Sequence, residues 1–186
     1  NTYKPFACGI VTHPIIDGCI QLRNENNLVP AQIARVALRV NPLVLSLTGK
    51  TTPQTGLESK FSIYHASAAA IIRGTAGPSE FTDATVQNGE VIALRGKVTA
   101  QIDENVSEEE AFVSITLNDG SVLDKHVEHA IGSMERPMTR EALEQKFSGQ
   151  AASALPVDQI ERVMALCWDI ESITDINELI RATVPV

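Results

Sequence analysis

Lys60, Ser62, Tyr64 and His65 stand within two turns of one stretch, residues 55–74 (TGLESKFSIYHASAAAIIRG). An ammonium, a hydroxyl, a phenol and an imidazole are groups that bind anions or move protons. A second candidate is His13, which precedes Pro14 at what reads as a helix start. Unpaired N–H groups and the positive end of the helix dipole at such a place suit a carboxylate ligand. Each has an ordinary reading too. Lys and Ser on an amphipathic helix are commonly solvated, a His among alanines commonly packs, and His13 could equally be a weak cap.

The elements that position these groups follow from periodicity. Leu57, Phe61, Tyr64, Ala68, Ile71 and Ile72 recur at helical spacing, which predicts one helix of about five turns over 55–74 with that stripe on a core. Thr55 and Glu58 make a capping box at its start, and Gly74 is its stop. An earlier helix begins at Pro14 and fades at 24–27. Residues 32–40 alternate as a half-buried strand does, and 43–48 extend or follow it. A short helix is predicted at 79–87, a helical or extended piece at 91–95 and a strand at 97–102. Residues 111–117 and 121–127 flank Asn118-Asp119-Gly120, a hairpin signal.

These pieces predict an α+β fold, an antiparallel sheet of about four strands with the helices from 14 and 56 covering one face. The division is placed at 1–135 and 136–186. In the second part Thr139 caps a helix to about 147, residues 149–156 form a linker, and a helix runs over 157–171. Its stripe is Ile160, Val163, Met164, Cys167 and Trp168, and a last short helix opens at Thr174.

At 186 residues, with 44% hydrophobic and 20% charged side chains, the composition is globular. A net charge of −8 argues against nucleic acid or an anionic membrane as partner, while leaving room for a small anion in a locally positive pocket. Cys8, Cys19 and Cys167 are odd in number and far apart, without a C-x-x-C pair, so reduced cytoplasm is the expected compartment. No apolar run reaches the roughly 20 residues of a membrane span. Gly49-Lys50-Thr51 lacks the upstream glycine of a phosphate-binding loop. The five carboxylates of 103–110 read as a solvated loop, and His126 and His129 receive no role.

Three blocks together resemble the second half of the MmgE/PrpD family. They are Tyr3-Lys4-Pro5-Phe6-Ala7-Cys8 with His13 beyond it, the LESKFSIYHASAAAIIRG segment, and GSMERPMTREALEQKF at 132–147. The resemblance implies a metal-independent and cofactor-free lyase or isomerase of small di- or tricarboxylates, such as 2-methylcitrate dehydratase, cis-aconitate decarboxylase or iminodisuccinate epimerase. It also implies a helical amino-terminal domain upstream, onto which the carboxy-terminal helices fold, a site between the two domains, and a homodimer.

Proton removal next to a carboxylate leaves an enediolate, whose charge requires cations and donors beside the carbon and a base near it. Lys4, matching the family's Lys-x-x-x-x-Cys/His block, and His65 are the catalytic candidates. His13, Lys60 and Ser62 are the substrate-binding ones. No metal ligand set is expected. Position 9, a His in some members, is Gly9 here, which weakens decarboxylation more than dehydration or epimerisation. The alternative is a non-catalytic lid and dimerisation module. Half a site forgoes the proximity of all reacting groups, so this stretch alone is expected to be inactive.

Overall fold

The computed structural model describes residues 2–185. They fall into two compact units, one ending at Pro137 and the other starting at Met138. The first unit is an α+β layer. It contains, in chain order, α1 (His13–Asn26), β1 (Ile33–Val40), α2 (Pro42–Thr48), α3 (Gly56–Ser59), α4 (Ile63–Arg73), α5 (Asp83–Val86), α6 (Gly89–Arg95), β2 (Val98–Ile102), β3 (Ala111–Leu117) and β4 (Val122–Val127).

The four strands form one sheet in the order β2-β1-β3-β4. β3 pairs antiparallel with both β1 and β4, whereas β1 and β2 run parallel, with Val36 opposite Val98 and Val40 opposite Ile102. The fully antiparallel sheet expected from sequence is therefore corrected at one pair. The reason is connectivity. Everything from α2 to α6 lies between β1 and β2, and a crossover that long returns the chain beside the strand in the same direction.

Burial alternates with a period of two along β3 and from Val36 to Val40 of β1, and a register shift between Ile33 and Arg35 puts Ile33 on the same buried face. Ile33, Val36, Leu38 and Val40 of β1 and Ala111, Val113 and Ile115 of β3 are buried. Helix α1 lies on β3 and β4, α4 packs on α1 and reaches β2, and α6 packs on α4. The approach of α1 is close at Gly18, where an added Cβ would meet Val113 Cγ2 at 2.9 Å. The opposite face of the sheet carries Arg39, which lies 3.7 Å from the Phe112 ring centre, and His126, stacked on Phe112 at 4.1 Å.

The stretch predicted as one five-turn helix is two helices. Thr55 accepts from the Glu58 N–H and starts α3; Ser62 accepts from the His65 N–H and starts α4. Between them the backbone turns out to pair with the preceding loop, Lys50 N–H donating to Phe61 O at 3.2 Å. The capping box is half formed, because the Glu58 carboxylate accepts from Gln54 N–H and Lys50. The break rotates the two halves out of one stripe. Leu57 and Phe61 are 70% and 51% exposed, and the buried stripe belongs to α4 alone, at Ile63, Ala66, Ala68, Ala70 and Ile71. Gly74, at φ 73°, ends α4 as expected, in the left-handed region that a side chain rarely adopts.

Other boundaries move for local reasons. Residues 43–48 are helical because Asn41 accepts from the Leu43 N–H and Pro42 takes the first helical position. Asn88 accepts from the Glu90 and Val91 N–H groups and makes 89–95 a helix. The hairpin turn falls at 118–120, with Gly120 at φ 87°.

The second unit holds α7 (Arg140–Ala151), α8 (Val157–Trp168) and α9 (Asn177–Ala182). Thr139 caps α7, which runs on through the first residues of the predicted linker. Helix α8 stops at Trp168, earlier than predicted, and the Asp175 side chain rather than Thr174 receives an N–H at the head of the last helix. Ile160 and Val163 are buried, and the Arg140 guanidinium lies over the Trp168 ring at 4.5 Å. Among the described residues no helix is long and apolar enough to cross a membrane.

Candidate functional site

The candidate site gathers at the amino end of α1. The segment leading there is pinned by Tyr3 N–H to Gly132 O, 3.0 Å, and by Ala7 N–H to Ala76 O, 2.9 Å. Lys4 is exposed on that segment, and its Nζ donates to Cys8 O at 3.4 Å. A turn of 3₁₀ helix at Ile10–Thr12 follows, in which Thr12 Oγ1 donates to Gly9 O at 2.7 Å and lies 3.0 Å from Cys8 Sγ. His13 is then the first residue of α1.

His13 is 3% exposed, with its ring edge-on to Phe6 at 5.3 Å between centroids. Burial, aided by the positive charge of Lys4, pushes its pKa down to about 4, against weaker opposing pulls from the Cys8 carbonyl, the Asp17 carboxylate and the Phe6 carbonyl. The ring is therefore neutral at pH 7. Its Nε2 is buried and has no hydrogen-bond partner among the described residues. A neutral imidazole with one nitrogen unspent can accept a proton or hold a ligand hydroxyl. Beside it lies a cavity of about 180 Å³, bordered by Tyr3, Val11, His13, Pro14, His129 and Ile131.

Lys60 ends α3, half-buried, where the chain breaks before α4. Its charge and that of Lys4 both bear on the Cys8 thiol, whose pKa burial nevertheless raises to about 11. Lys4 donates to the Cys8 carbonyl and Cys8 lies against Thr12, the residue before His13, so Lys4, Cys8 and His13 gather at the head of α1, and the Lys60 charge bears on the same thiol.

Two candidates stand apart from that group. Ser62 is buried and its oxygen accepts the His65 N–H at 3.1 Å, so its visible work is capping α4. His65 is wholly buried; its Nε2–H donates to Glu80 O at 2.8 Å, and the ring tilts against Phe81. Desolvation lowers its pKa, with the Glu80 carbonyl opposing and Arg95 assisting, so it too is neutral. It holds the turn at 78–81 against α4.

The Asp17–Arg136 pair escaped the sequence reading. Asp17 accepts from Arg136 at 2.7 Å and from the Ile131 N–H at 2.9 Å, tying α1 to the loop that carries Gly132. Its signal was an acidic residue inside the apolar run Ile15, Ile16, Cys19, although its partner lies too far along the chain to be guessed.

Compared with known proteins, residues 6–170 match the model of the MmgE/PrpD C-terminal domain. The chain belongs to the MmgE/PrpD family. It is 25% identical over 189 residues to cis-aconitate decarboxylase of Mus musculus, with 96% of this chain covered. It is 24% identical over 186 residues to the Homo sapiens protein of the same name, with 95% covered. In both cases the chain spans 38% of the relative's length. The MmgE/PrpD match takes in the Cys8–His13 turn, both halves of the 55–74 stretch and the sheet. Lys4 lies just ahead of it.

Proposed function

We propose that this chain supplies the carboxylate-binding half of an MmgE/PrpD lyase or isomerase that acts on a small di- or tricarboxylate by removing a proton next to a carboxylate. The observation that carries this reading is the neutral, buried His13 with Nε2 unspent, flanked by the ammonium of Lys4. Lys4 and Lys60 hold substrate carboxylates as point charges and stabilise the enediolate as it forms. His13 contributes hydrogen bonding at the head of α1, where the helix dipole also favours negative charge. Ser62 and His65 act indirectly, by fixing where α4 begins and therefore where Lys60 stands.

In a dehydration the proton passes to the base, the electron pair forms the alkene, and hydroxide leaves the adjacent carbon. In an epimerisation the proton returns to the other face. In a decarboxylation, the reaction named in the two relatives, the bond to a carboxylate breaks instead and the carbon is protonated. The position of Gly9 favours the first two. The remaining reacting groups come from the rest of the longer protein, so the isolated chain binds without turnover.

The test is proton exchange and product formation in heavy water, followed by NMR, with citrate-like, cis-aconitate-like and aspartate-derived acids. The longer protein is compared with its Lys4→Ala form. Loss of about 100-fold or more in turnover with unchanged circular dichroism is expected, since a charge contact to the developing anion is worth roughly 3 kcal/mol. Retained turnover in Lys4→Ala, or no exchange with any acid by a folded protein, would refute the reading.

A further inference from the structure

Lys4 reaches the head of α1 on a segment that packing holds weakly. Thr2, Tyr3 and Lys4 are exposed, and the contact of the Lys4 ammonium with Cys8 O is long, 3.4 Å, so its place is set by its backbone. That backbone is seated on one loop, residues 129–136. Tyr3 N–H donates to Gly132 O, and a Cβ on Gly132 would lie 2.9 Å from Pro5 Cδ, so the residues on both sides of Lys4 bear on this glycine. The loop in turn is closed by Arg136 and fastened to α1 by Asp17. We propose that Asp17 and Arg136 are positioning residues for Lys4, holding its ammonium beside His13 for the reaction. The inference rests on the carboxylate-binding reading of the site.

Hydrogen bonds run in one chain from α1 to Lys4. Asp17 lies one helical turn after His13 and is buried. Its Oδ2 accepts from Arg136 Nη1 at 2.7 Å and from the Ile131 N–H at 2.9 Å, while its Oδ1 accepts from Gln21 at 2.8 Å. Arg136 Nη1 also donates to His129 O at 2.8 Å, and the Arg136 carbonyl accepts the Gly132 N–H at 2.7 Å. One arginine therefore ties the first residue and the middle of the loop to the carboxylate on α1. Gly132, at φ 89°, presents its own carbonyl to Tyr3. Ala130, Ile131 and Gly132 also border the cavity beside His13, so the same carboxylate fixes that wall.

An ammonium stabilises a developing anion only where the charge appears, and a displacement of ~1 Å can cost on the order of 100-fold in rate. Asp17 and Arg136 act through Lys4 in this way. The two are unequal as targets. The Arg136 side chain is 44% exposed, against 7% for Asp17, and without it Asp17 still accepts from Gln21 and Ile131. Removing the guanidinium thus opens the loop while α1 stays packed.

In the longer protein, Arg136→Ala is measured alone and on the Lys4→Ala background, beside Arg136→Lys, whose ammonium keeps a charged donor for Asp17. Arg136→Ala is expected to lower kcat/KM about tenfold or more, and Arg136→Lys to recover most of the loss. On the Lys4→Ala background the same change should cost less than about twofold, because the group it positions is already gone. Hydrogen exchange followed by mass spectrometry should be faster over residues 2–8 and 129–136 of Arg136→Ala and unchanged in α4. If α4 loosens as well, Arg136→Gln, which keeps an N–H for Asp17, replaces it in the same comparison. Retained kcat/KM, equal losses on the two backgrounds, or unchanged exchange over 2–8 would overturn the positioning. A wild-type protein without turnover on any of the acids overturns the reading of the site itself, and is told apart because it is seen without a variant.

Discussion

Replacing His13 with Gln should change how stability depends on pH. The folded ring has its pKa lowered from 6.5 to about 4, chiefly by desolvation. At about 1.4 kcal/mol per pH unit, this is a preference of roughly 3 kcal/mol for the neutral ring. The unfolded chain binds the proton more readily, so the folded state loses stability as the pH falls from 6.5 towards 4, and the effect is flat above and below that window. The glutamine variant lacks the group, while the carboxylates that titrate nearby are shared by both proteins. The difference between their unfolding free energies should therefore shift by about 3 kcal/mol between pH 7 and pH 4, against the wild type at low pH. Urea unfolding should be followed by far-ultraviolet circular dichroism, since Trp168 lies in the other unit. The His13 ring proton, assigned by its loss in the variant, should titrate with a midpoint near 4. A flat difference curve, or a ring midpoint near 6.5, would refute the reasoning that burial keeps this imidazole neutral.

Lys4→Ala should raise the His13 midpoint only partly, because desolvation is the larger cause and Lys4 the smaller; NMR titration of the same ring proton checks it. Gly132 adopts φ 89°, and a Cβ there would collide with Tyr3 O and Pro5. Gly132→Ala should therefore cost about 1–3 kcal/mol in urea unfolding and loosen amide exchange at Tyr3. Ser62→Ala removes the α4 cap and should cost about 1 kcal/mol, with faster hydrogen exchange in the first turn of α4 than in α1. Asp17→Asn weakens a buried acceptor of Arg136 and Ile131 and should cost about 2 kcal/mol, read from the urea midpoint.

Much of the fold was legible because its signals are local. Alternation marked β1, Asp119-Gly120 marked the hairpin and its two strands, and Pro14, Thr139 and Gly74 marked helix ends, each through a preference expressed within a few residues. The 55–74 stretch misled because Thr55 and Ser62 can both cap, and periodicity cannot tell one helix from two when the second cap sits in phase with the first. Residues 43–48 read as extending or following the strand; in the fold they belong to a helix that starts at Pro42, since Asn41 ahead of it caps.

The candidate site divides along the same line. His13 and Lys60 were recognisable as chemistry-bearing residues from type and position, and Lys4 through the family block it matches. The gathering of Lys4 and His13 around Cys8 depends on the segment pinned to Ala76 and Gly132, which has no local signature. Ser62 and His65 were equally visible in sequence, yet the fold turns Ser62 to a backbone N–H and His65 to the Glu80 carbonyl. The residue types, the helix and strand periods and the caps were set by the sequence itself, through interactions spanning four residues or fewer. The parallel pairing of β1 with β2, the charge state of His13 and the meeting of Asp17 with Arg136 were decided only by tertiary structure, because desolvation and long-range contact exist only once distant segments pack.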